Sequence, residues 1–208
     1  MIICIAREFG SGGYAIGKRL AEHFDMSFYD KNLLEIAARQ SGIVADFFEK
    51  TDEKLSQPLG GGMFGLRFPF AGSMATEDNF GAEKLFRIQS ETIRRLAEYA
   101  PCVFVGRCAN YILRDRTDCI NLFISADMQD RISRVAKRTG LDEQAAAALT
   151  EKTDKCRAAY YNFYTSKTWG NSKDYHLCIN SSLLGIEGSC NQIISFVQAW
   201  QDKGTCAF

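Results

Sequence analysis

The sequence has no excess of charge of either sign and no apolar segment long enough to cross a membrane. Its 25 Lys and Arg residues balance its 25 Asp and Glu residues over 208 residues. A chain without net charge lacks the broad basic surface that binds nucleic acids or anionic membranes. Arg7 and Glu8 interrupt the first apolar run, which therefore does not resemble a signal segment. We expect a cytoplasmic protein with neither a nucleic-acid partner nor a membrane partner.

The sequence also lacks any Cys-x-x-Cys pair, internal repeat or low-complexity tract. It contains eight cysteines, several of them within apolar runs. Without the paired spacing of a metal site or a redox motif, these residues are predicted to be reduced thiols in the core. A chain of this length can bury a substantial core. We therefore expect residues 1–208 to form one domain with insertions and not two independent domains.

The most informative stretch lies at the start of the chain. Residues 2–5 are apolar and mostly β-branched, as in a strand buried on both faces of a parallel sheet. Residues 10–13 are three glycines and a serine, and apolar residues then recur at helical spacing to residue 23 or 24. A buried strand, a glycine-rich turn and a helix N-terminus together present converging N–H groups to an anion. This stretch predicts a phosphate-binding loop.

Two alignments to the P-loop consensus Gly-x-x-x-x-Gly-Lys-[Ser/Thr] are available. Residues 12–19 have the glycines and the lysine, but Arg replaces the hydroxyl residue and helical residues fall inside the loop. Residues 7–13 keep strand, loop and helix contiguous, with Gly13 at the lysine position and Tyr14 or Ala15 at the hydroxyl position. We adopt the second alignment. The alternative is a glycine-rich turn that only lets strand and helix pack closely.

Strand and helix signals alternate along the rest of the chain, which predicts an α/β fold with a doubly wound parallel sheet. The predicted strands are residues 2–5, 26–29, 102–105, 120–124 and 177–179. The predicted helices are residues 13–24, 33–38, 82–99, 128–138, 142–164 and a closing segment around 193–200.

One segment, at about residues 57–82, breaks this alternation. It is rich in glycine and phenylalanine and has no clear periodicity. A long loop in a compact domain is commonly functional or disordered. We predict a flexible insertion, which either orders as a lid over a ligand or remains a surface loop.

Several charged residues are predicted at the carboxyl edge of the sheet or on nearby helices. Arg107 follows a buried strand, where its guanidinium can bind a phosphate or form a structural ion pair. Asp30 ends another strand and can contact a ligand or cap the next helix. Three arginines share one helical face and are either phosphate ligands or a solvated stripe: Arg131, Arg134 and Arg138. The aromatic run after Arg157 is interpreted as helix packing in preference to a base-stacking platform.

These motifs resemble the cytidylate-kinase-like proteins of the P-loop nucleoside monophosphate kinase group. The similar stretches are residues 3–24, 28–34, 103–113, 153–170 and 175–186. The resemblance implies a P-loop kinase-like, five-stranded parallel sheet of order 2-3-1-4-5 with a helical lid at about residues 128–170.

The resemblance also implies roles for individual residues. Arg107 matches the arginine that holds the acceptor phosphate, and Arg131 and Arg157 match lid arginines that reach the transferring phosphates. Asp30 and Lys31 fall in the acceptor-binding region. The nucleotide-binding residues of the loop are Arg7, Phe9, Gly10, Ser11, Gly12, Gly13 and Tyr14.

The chain departs from those kinases at several positions. It lacks the loop lysine and the hydroxyl, and Val105 and Cys108 replace acidic residues on either side of the Gly-Arg pair. Phosphoryl transfer needs positioning and charge neutralisation by lysine, arginine and magnesium. Our main hypothesis is therefore an ATP- or GTP-dependent kinase that uses Mg²⁺ and in which Arg7 or Lys31 replaces the lysine.

Its acceptor would be a nucleoside monophosphate or another small molecule. The alternatives are a catalytically silent nucleotide-binding switch protein and a purely structural protein. Metal ligands are not assigned from the sequence, and homo-oligomerisation is left open.

Overall fold

The computed structural model describes residues 1–30 and 79–205. Five parallel strands form its sheet, in the order β2-β3-β1-β4-β5, and this confirms the predicted fold class and strand order. The strands are β1 (Ile2–Arg7), β2 (Ser27–Tyr29), β3 (Cys102–Val105), β4 (Cys119–Ser125) and β5 (Leu177–Asn180). The helix predicted at 33–38, most of the predicted insertion, and Lys31 lie outside the described residues.

Strand β1 lies at the centre of the sheet because its side chains are apolar on both faces. Residues 2–6 are all buried. Ile5 pairs with Val105 of β3 on one side and with Leu122 of β4 on the other. All strands run in one direction, so the residues that follow β1, β3 and β4 meet at a single edge. That edge carries the glycine-rich loop and Arg107.

The helices cover both faces of the sheet. They are α1 (Gly13–His23), α2 (Asn79–Tyr99), α3 (Ala109–Ile112), α4 (Met128–Thr139), α5 (Glu143–Thr165) and α6 (Ser181–Thr205), which is kinked at Gly185. The Asp142 carboxylate accepts a hydrogen bond of 2.8 Å from the Ala145 N–H and caps α5, as predicted. Helix α2 begins three residues before the predicted start, and α3 was not predicted.

The core has two layers, one on each face of the sheet. On one face α1 and α6 pack against the sheet, through Leu20 and Ile193 among other residues. On the other face α2, α3 and α5 cover Ile2 and Phe104. Burial of these apolar side chains supplies most of the driving force for folding. The layers hold the carboxyl edge of the sheet as a rigid platform.

The cysteines in the described ranges form no disulfide with one another, and the core placement predicted for them does not hold for Cys156, which is half-buried, or for Cys178, which is exposed. Five of them are buried. Burial raises the pKa of the Cys102 and Cys108 thiols to about 12, so both are protonated at neutral pH. Within residues 1–30 and 79–205, no helix has the length and apolar character needed to span a bilayer.

Candidate active site

The loop between β1 and α1 presents backbone N–H groups at a helix N-terminus. Gly10 and Gly12 have φ angles of 79° and 84°, in the left-handed region that glycine adopts readily. Gly12 is the N-cap of α1, and no side chain caps the helix there. The first N–H groups of a helix have no acceptor within the helix. The N–H groups of Gly13 to Ala15 are therefore available to an anion beyond the helix end.

Contacts from α4 and α6 fix the conformation of this loop. The Ser181 hydroxyl at the start of α6 donates to the Ser11 carbonyl at 2.6 Å. Arg134 Nη1 donates to the Gly10 carbonyl at 3.3 Å and to the Ser181 hydroxyl at 3.1 Å. A Cβ atom on Gly10 would lie 2.7 Å from the Arg131 carbonyl oxygen, so only glycine fits against α4 at this position. These contacts between protein groups hold the loop in shape.

A buried ion-pair network also ties the loop to α4 and α5. Arg131 is 3% exposed, and its Nη1 lies 2.7 Å from Asp154 Oδ2 and 3.0 Å from Glu8 Oε2. Asp154 Oδ1 accepts a hydrogen bond of 2.7 Å from the Phe9 N–H. Burial raises the pKa of Asp154, an effect that the Phe9 N–H and the Arg131 charge oppose. The contact of Arg131 with transferring phosphates stays a prediction, since its guanidinium here binds two carboxylates.

A cavity of about 140 Å³ lies beside the loop, at the carboxyl ends of β1 and β3 and under α5. Three arginines line it: Arg7 at the end of β1, Arg107 after β3, and Arg157 on α5. Its other walls combine aromatic rings with small polar groups, among them Phe9, Asn110, Thr153, Tyr160, Tyr161 and Trp169. Such a mixture of cations and rings suits a small anionic ligand with a planar or apolar part.

The guanidinium groups in this cavity lie close to one another and to the loop. Arg157 Nη1 donates to the Arg7 carbonyl at 2.9 Å, and its guanidinium carbon is 5.3 Å from the centre of the Phe9 ring. The Arg107 guanidinium lies over the Tyr160 ring at 5.8 Å. Burial lowers the pKa of Arg157 to about 10. Burial, together with the charges of Arg157 and Arg107, holds the pKa of Arg7 well below its usual range. An anion bound in the cavity would stabilise the charged guanidinium groups and so raise the pKa of both Arg157 and Arg7.

The aromatic run on α5 divides between the cavity and helix packing. Tyr160 and Tyr161 line the cavity, and the Tyr161 hydroxyl accepts a hydrogen bond of 3.0 Å from Asn110 Nδ2. Tyr164 instead stacks on Phe86 of α2, with ring centres 4.0 Å apart. Phe163 is exposed. Helix packing, the interpretation taken from the sequence, therefore accounts for part of the run, and the cavity for another part.

The structure brings most of the predicted site residues to one edge. The loop residues 7–14, Arg107 and Arg157 surround the cavity or adjoin it. Asp30 follows β2, and its negative charge acts on the Arg7 guanidinium. Lys18 of the rejected alignment lies exposed on α1, 3.9 Å from Glu22, and points away from the loop. The observed start of α1 at Gly13 agrees with the adopted alignment.

Sequence reasoning missed three residues that hold the loop: Glu8, Asp154 and Ser181. Asp154 precedes Arg157 by three positions on the predicted helix, and residues at that spacing share a helical face. That spacing was an available signal for Asp154. The sequence held no comparable signal for Ser181, because its contact with Ser11 joins residues that are 170 positions apart.

The chain is similar to a known family and to several solved structures. The model of the cytidylate kinase-like family matches residues 2–183. An uncharacterized protein from Eubacterium ventriosum ATCC 27560 is 31% identical, with a TM-score of 0.72 over 95% of this chain and 98% of that chain. No curated protein matches.

Two shikimate kinases have the same fold at low sequence identity. The enzyme from Bacteroides thetaiotaomicron is 14% identical, with a TM-score of 0.53 over 95% of this chain and 98% of that chain. The enzyme from Acinetobacter baumannii, solved in complex with shikimate, is 13% identical, with a TM-score of 0.51 over 95% and 93%. At these identities the likeness shows the fold alone, which is that of the P-loop kinases.

Proposed function

Since the chain belongs to the cytidylate kinase-like family, we propose that it transfers a phosphoryl group from ATP or GTP to a nucleoside monophosphate or another small anionic acceptor. The observation that carries the proposal is the arginine-lined cavity directly beside the glycine-rich loop. Phosphoryl transfer is catalysed mainly by positioning and by neutralising charge on the transferred group. A loop for one phosphate chain and a cationic cavity for a second anion are the two parts that this chemistry requires.

The loop residues fit a nucleotide phosphate chain. The N–H groups of Gly13 and Tyr14 face beyond the N-terminus of α1, where the helix dipole favours negative charge. Gly10 and Gly12 adopt the positive φ angles that the path of the loop requires at these two positions. In the proposed mechanism these residues bind and orient the phosphates of the nucleotide. When bound, magnesium would supply further neutralisation of the phosphate charge.

Magnesium is the metal that phosphoryl transfer of this kind uses. Within residues 1–30 and 79–205, no group of three or more His, Cys, Asp or Glu side chains is arranged to hold a metal ion. Magnesium typically keeps several waters and uses one or two carboxylates together with substrate phosphates. Asp30, which follows β2 and whose charge acts on Arg7, is the carboxylate that we assign to the acceptor region.

The cavity residues act on the acceptor and on the transferred group. Arg107 is held at the end of β3, so it binds the acceptor in both the ground state and the transition state. Arg157 extends from α5 to the loop backbone, between the loop and the cavity. It therefore neutralises charge that develops on the transferred phosphoryl group. We propose that Arg131 acts indirectly, by fixing the loop through Glu8 and Asp154.

A nucleotide-binding switch protein without kinase activity is the second candidate. The observation that favours it is Gly13, which stands where the consensus has the lysine. Under this alternative the loop binds a nucleotide and no acceptor is phosphorylated.

Incubation of the purified protein with ATP or GTP, Mg²⁺ and a panel of acceptors tests the proposal. The panel contains nucleoside monophosphates and small alicyclic or aromatic acids. We expect nucleoside diphosphate to appear only in the presence of one acceptor class, together with a phosphorylated acceptor detected by mass spectrometry. Calorimetric binding of nucleotide with no product from any acceptor would favour the switch protein. Absence of nucleotide binding would refute both candidates.

A further inference from the structure

At residues 7 and 13 the order of the glycine and the long cationic residue is the reverse of that in the P-loop consensus. In the alignment over residues 7–13, the consensus has glycine at the first position and lysine at the last. This chain has arginine at the first position and glycine at the last. The long cationic side chain is thus present, but it is attached to the end of the strand and not to the start of the helix.

The side chain of Arg7 begins in the space that a side chain at residue 13 would need. A Cβ atom on Gly13 would lie 2.7 Å from Arg7 Cβ and 2.9 Å from Arg7 Cγ. Non-bonded carbon atoms attract best at about 3.5–4.0 Å and repel strongly at such short distances. Residues 7 and 13 therefore cannot both carry a long side chain in this loop conformation.

The far end of the Arg7 side chain lies at the acceptor side of the loop. A Cβ atom on Gly106 would overlap Arg7 Nη1, so the guanidinium lies directly against the backbone at the end of β3. The next residue is Arg107, and both arginines line the cavity. The side chain thus runs from the helix N-terminus, where the consensus lysine starts, to the cavity where a second substrate is expected.

We infer that Arg7 supplies the positive charge that the lysine supplies in the consensus loop. Position 7 carries the long cationic side chain and position 13 the glycine, the reverse of the consensus, because the two positions share one space and only one of them can hold a long side chain. The inference rests on the proposed function in so far as the loop binds nucleotide phosphates. The guanidinium bridges the phosphate chain of the nucleotide and the anionic group of the acceptor. Its planar fork can bind two phosphate oxygens at once, which a lysine ammonium cannot do.

The first arm of the test measures binding of ADP and Mg²⁺ by calorimetry. Arg7→Gly and Arg7→Met should each weaken binding by about tenfold or more, equivalent to about 1.4 kcal/mol. Arg7→Met keeps the methylene groups and removes the charge, so it separates a lost cation from a disturbed fold. Gly13→Lys alone should also weaken binding, because the new side chain collides with Arg7. The double variant Arg7→Gly/Gly13→Lys, which restores the consensus glycine and lysine, should recover to within about threefold of the wild type.

The matched control for this arm is Lys18→Ala, which removes a cation from an exposed position of α1. It should leave ADP affinity within about twofold of the wild type, since exposed charges contribute little. Unchanged affinity in Arg7→Met would overturn the assigned cation. A double variant that binds no better than Arg7→Gly would overturn the exchange.

The second arm measures thermal unfolding without any nucleotide. Gly13→Ala should lower the melting temperature of the wild type by on the order of 5 °C, because it overpacks the space against Arg7. The same substitution in the Arg7→Gly background should produce little or no decrease. Equal decreases in both backgrounds would overturn the steric coupling.

The binding measurement and the unfolding measurement test different parts of the inference. If the wild type bound no nucleotide, the proposed function would be refuted and the inferred role of Arg7 as the phosphate-binding cation would fall with it. The unfolding arm would still decide whether residues 7 and 13 share one space.

Discussion

The arginines on the two sides of the phosphate loop differ in what surrounds their charge. On the α4 side, Arg131 binds the Glu8 and Asp154 carboxylates, and Arg134 donates to a backbone carbonyl and a hydroxyl. On the cavity side, burial lowers the pKa of Arg7, the charges of Arg157 and Arg107 lower it further, and Asp30 and Asp154 oppose both effects. The first group is hydrogen-bonded within the protein, Arg131 to two carboxylates and Arg134 to neutral oxygens, and it holds the loop in shape. The second group places three guanidinium groups on the wall of one cavity, where they can bind an anionic ligand.

Arginine therefore has two different roles around the loop, one in stability and one in ligand binding. Where a buried charge has its partner within the fold, removing either the charge or its partner alone destabilises the protein. A cation that faces a ligand site contributes mainly to binding or catalysis. Substitutions on the two sides should therefore change different observables, and three predictions use this contrast.

The largest effect is expected from Arg131→Met. This substitution removes a buried guanidinium and leaves the Asp154 carboxylate, whose side chain is only 15% exposed, without that partner, so we expect the free energy of unfolding to fall by about 3–5 kcal/mol. Urea unfolding would show a lower midpoint at an unchanged slope. Lys137→Met is the matched control, because it introduces the same residue at an exposed position of α4. A change below about 1 kcal/mol for Arg131→Met would show that the network contributes little to stability.

The second effect is expected from Arg157→Ala. We predict that kcat falls by on the order of 10² to 10³, with little change in ground-state binding, because Arg157 meets charge that develops on the transferred group. Steady-state kinetics with the identified acceptor measures this change. Lys155→Ala removes an exposed cation from the same helix and should retain wild-type kcat. If Arg157→Ala raised only KM, its assignment to the transition state would be wrong.

The third and smallest effect is expected from Arg107→Ala. Because Arg107 binds the acceptor equally in the ground and transition states, its removal should raise the acceptor KM by about tenfold and lower kcat much less. Alanine is chosen because lysine would retain the charge. Arg114→Ala, on the exposed side of the neighbouring segment, provides the control. Wild-type kinetics in both Arg107→Ala and Arg157→Ala would show that the cavity arginines are not part of the active site.

Much of the fold could be predicted from the sequence because its signals are local. The apolar run at residues 2–5, the glycines after it and the helical spacing from residue 13 each report on a few neighbouring positions. They locate β1, the loop and α1 closely. Helix α3 could not be predicted this way. It has four residues, which is too few for a periodic pattern, and it follows left-handed residues at 107 and 108.

The contacts between distant segments could not be predicted from local pattern. The basic face of α4 was visible in the sequence, but its partners Glu8 and Asp154 lie 123 positions before and 23 positions after Arg131. Charge alone therefore left a phosphate ligand and a solvated stripe as alternatives for Arg131. The structure adds a third possibility, a buried network that fixes the loop. The steric conflict between residues 7 and 13 likewise depends on the three-dimensional path of the Arg7 side chain.

The central position of β1 also has a consequence for how the chain folds. Both neighbours of this N-terminal strand come late in the sequence, starting at Cys102 and Cys119. Closing such long loops costs chain entropy before any contact between strands compensates for it, which slows folding. During synthesis the apolar residues 2–6 therefore have neither of these partners until Cys102–Val105 has left the ribosome. The phosphate loop, which depends on β1 for its position, can form only at that late stage.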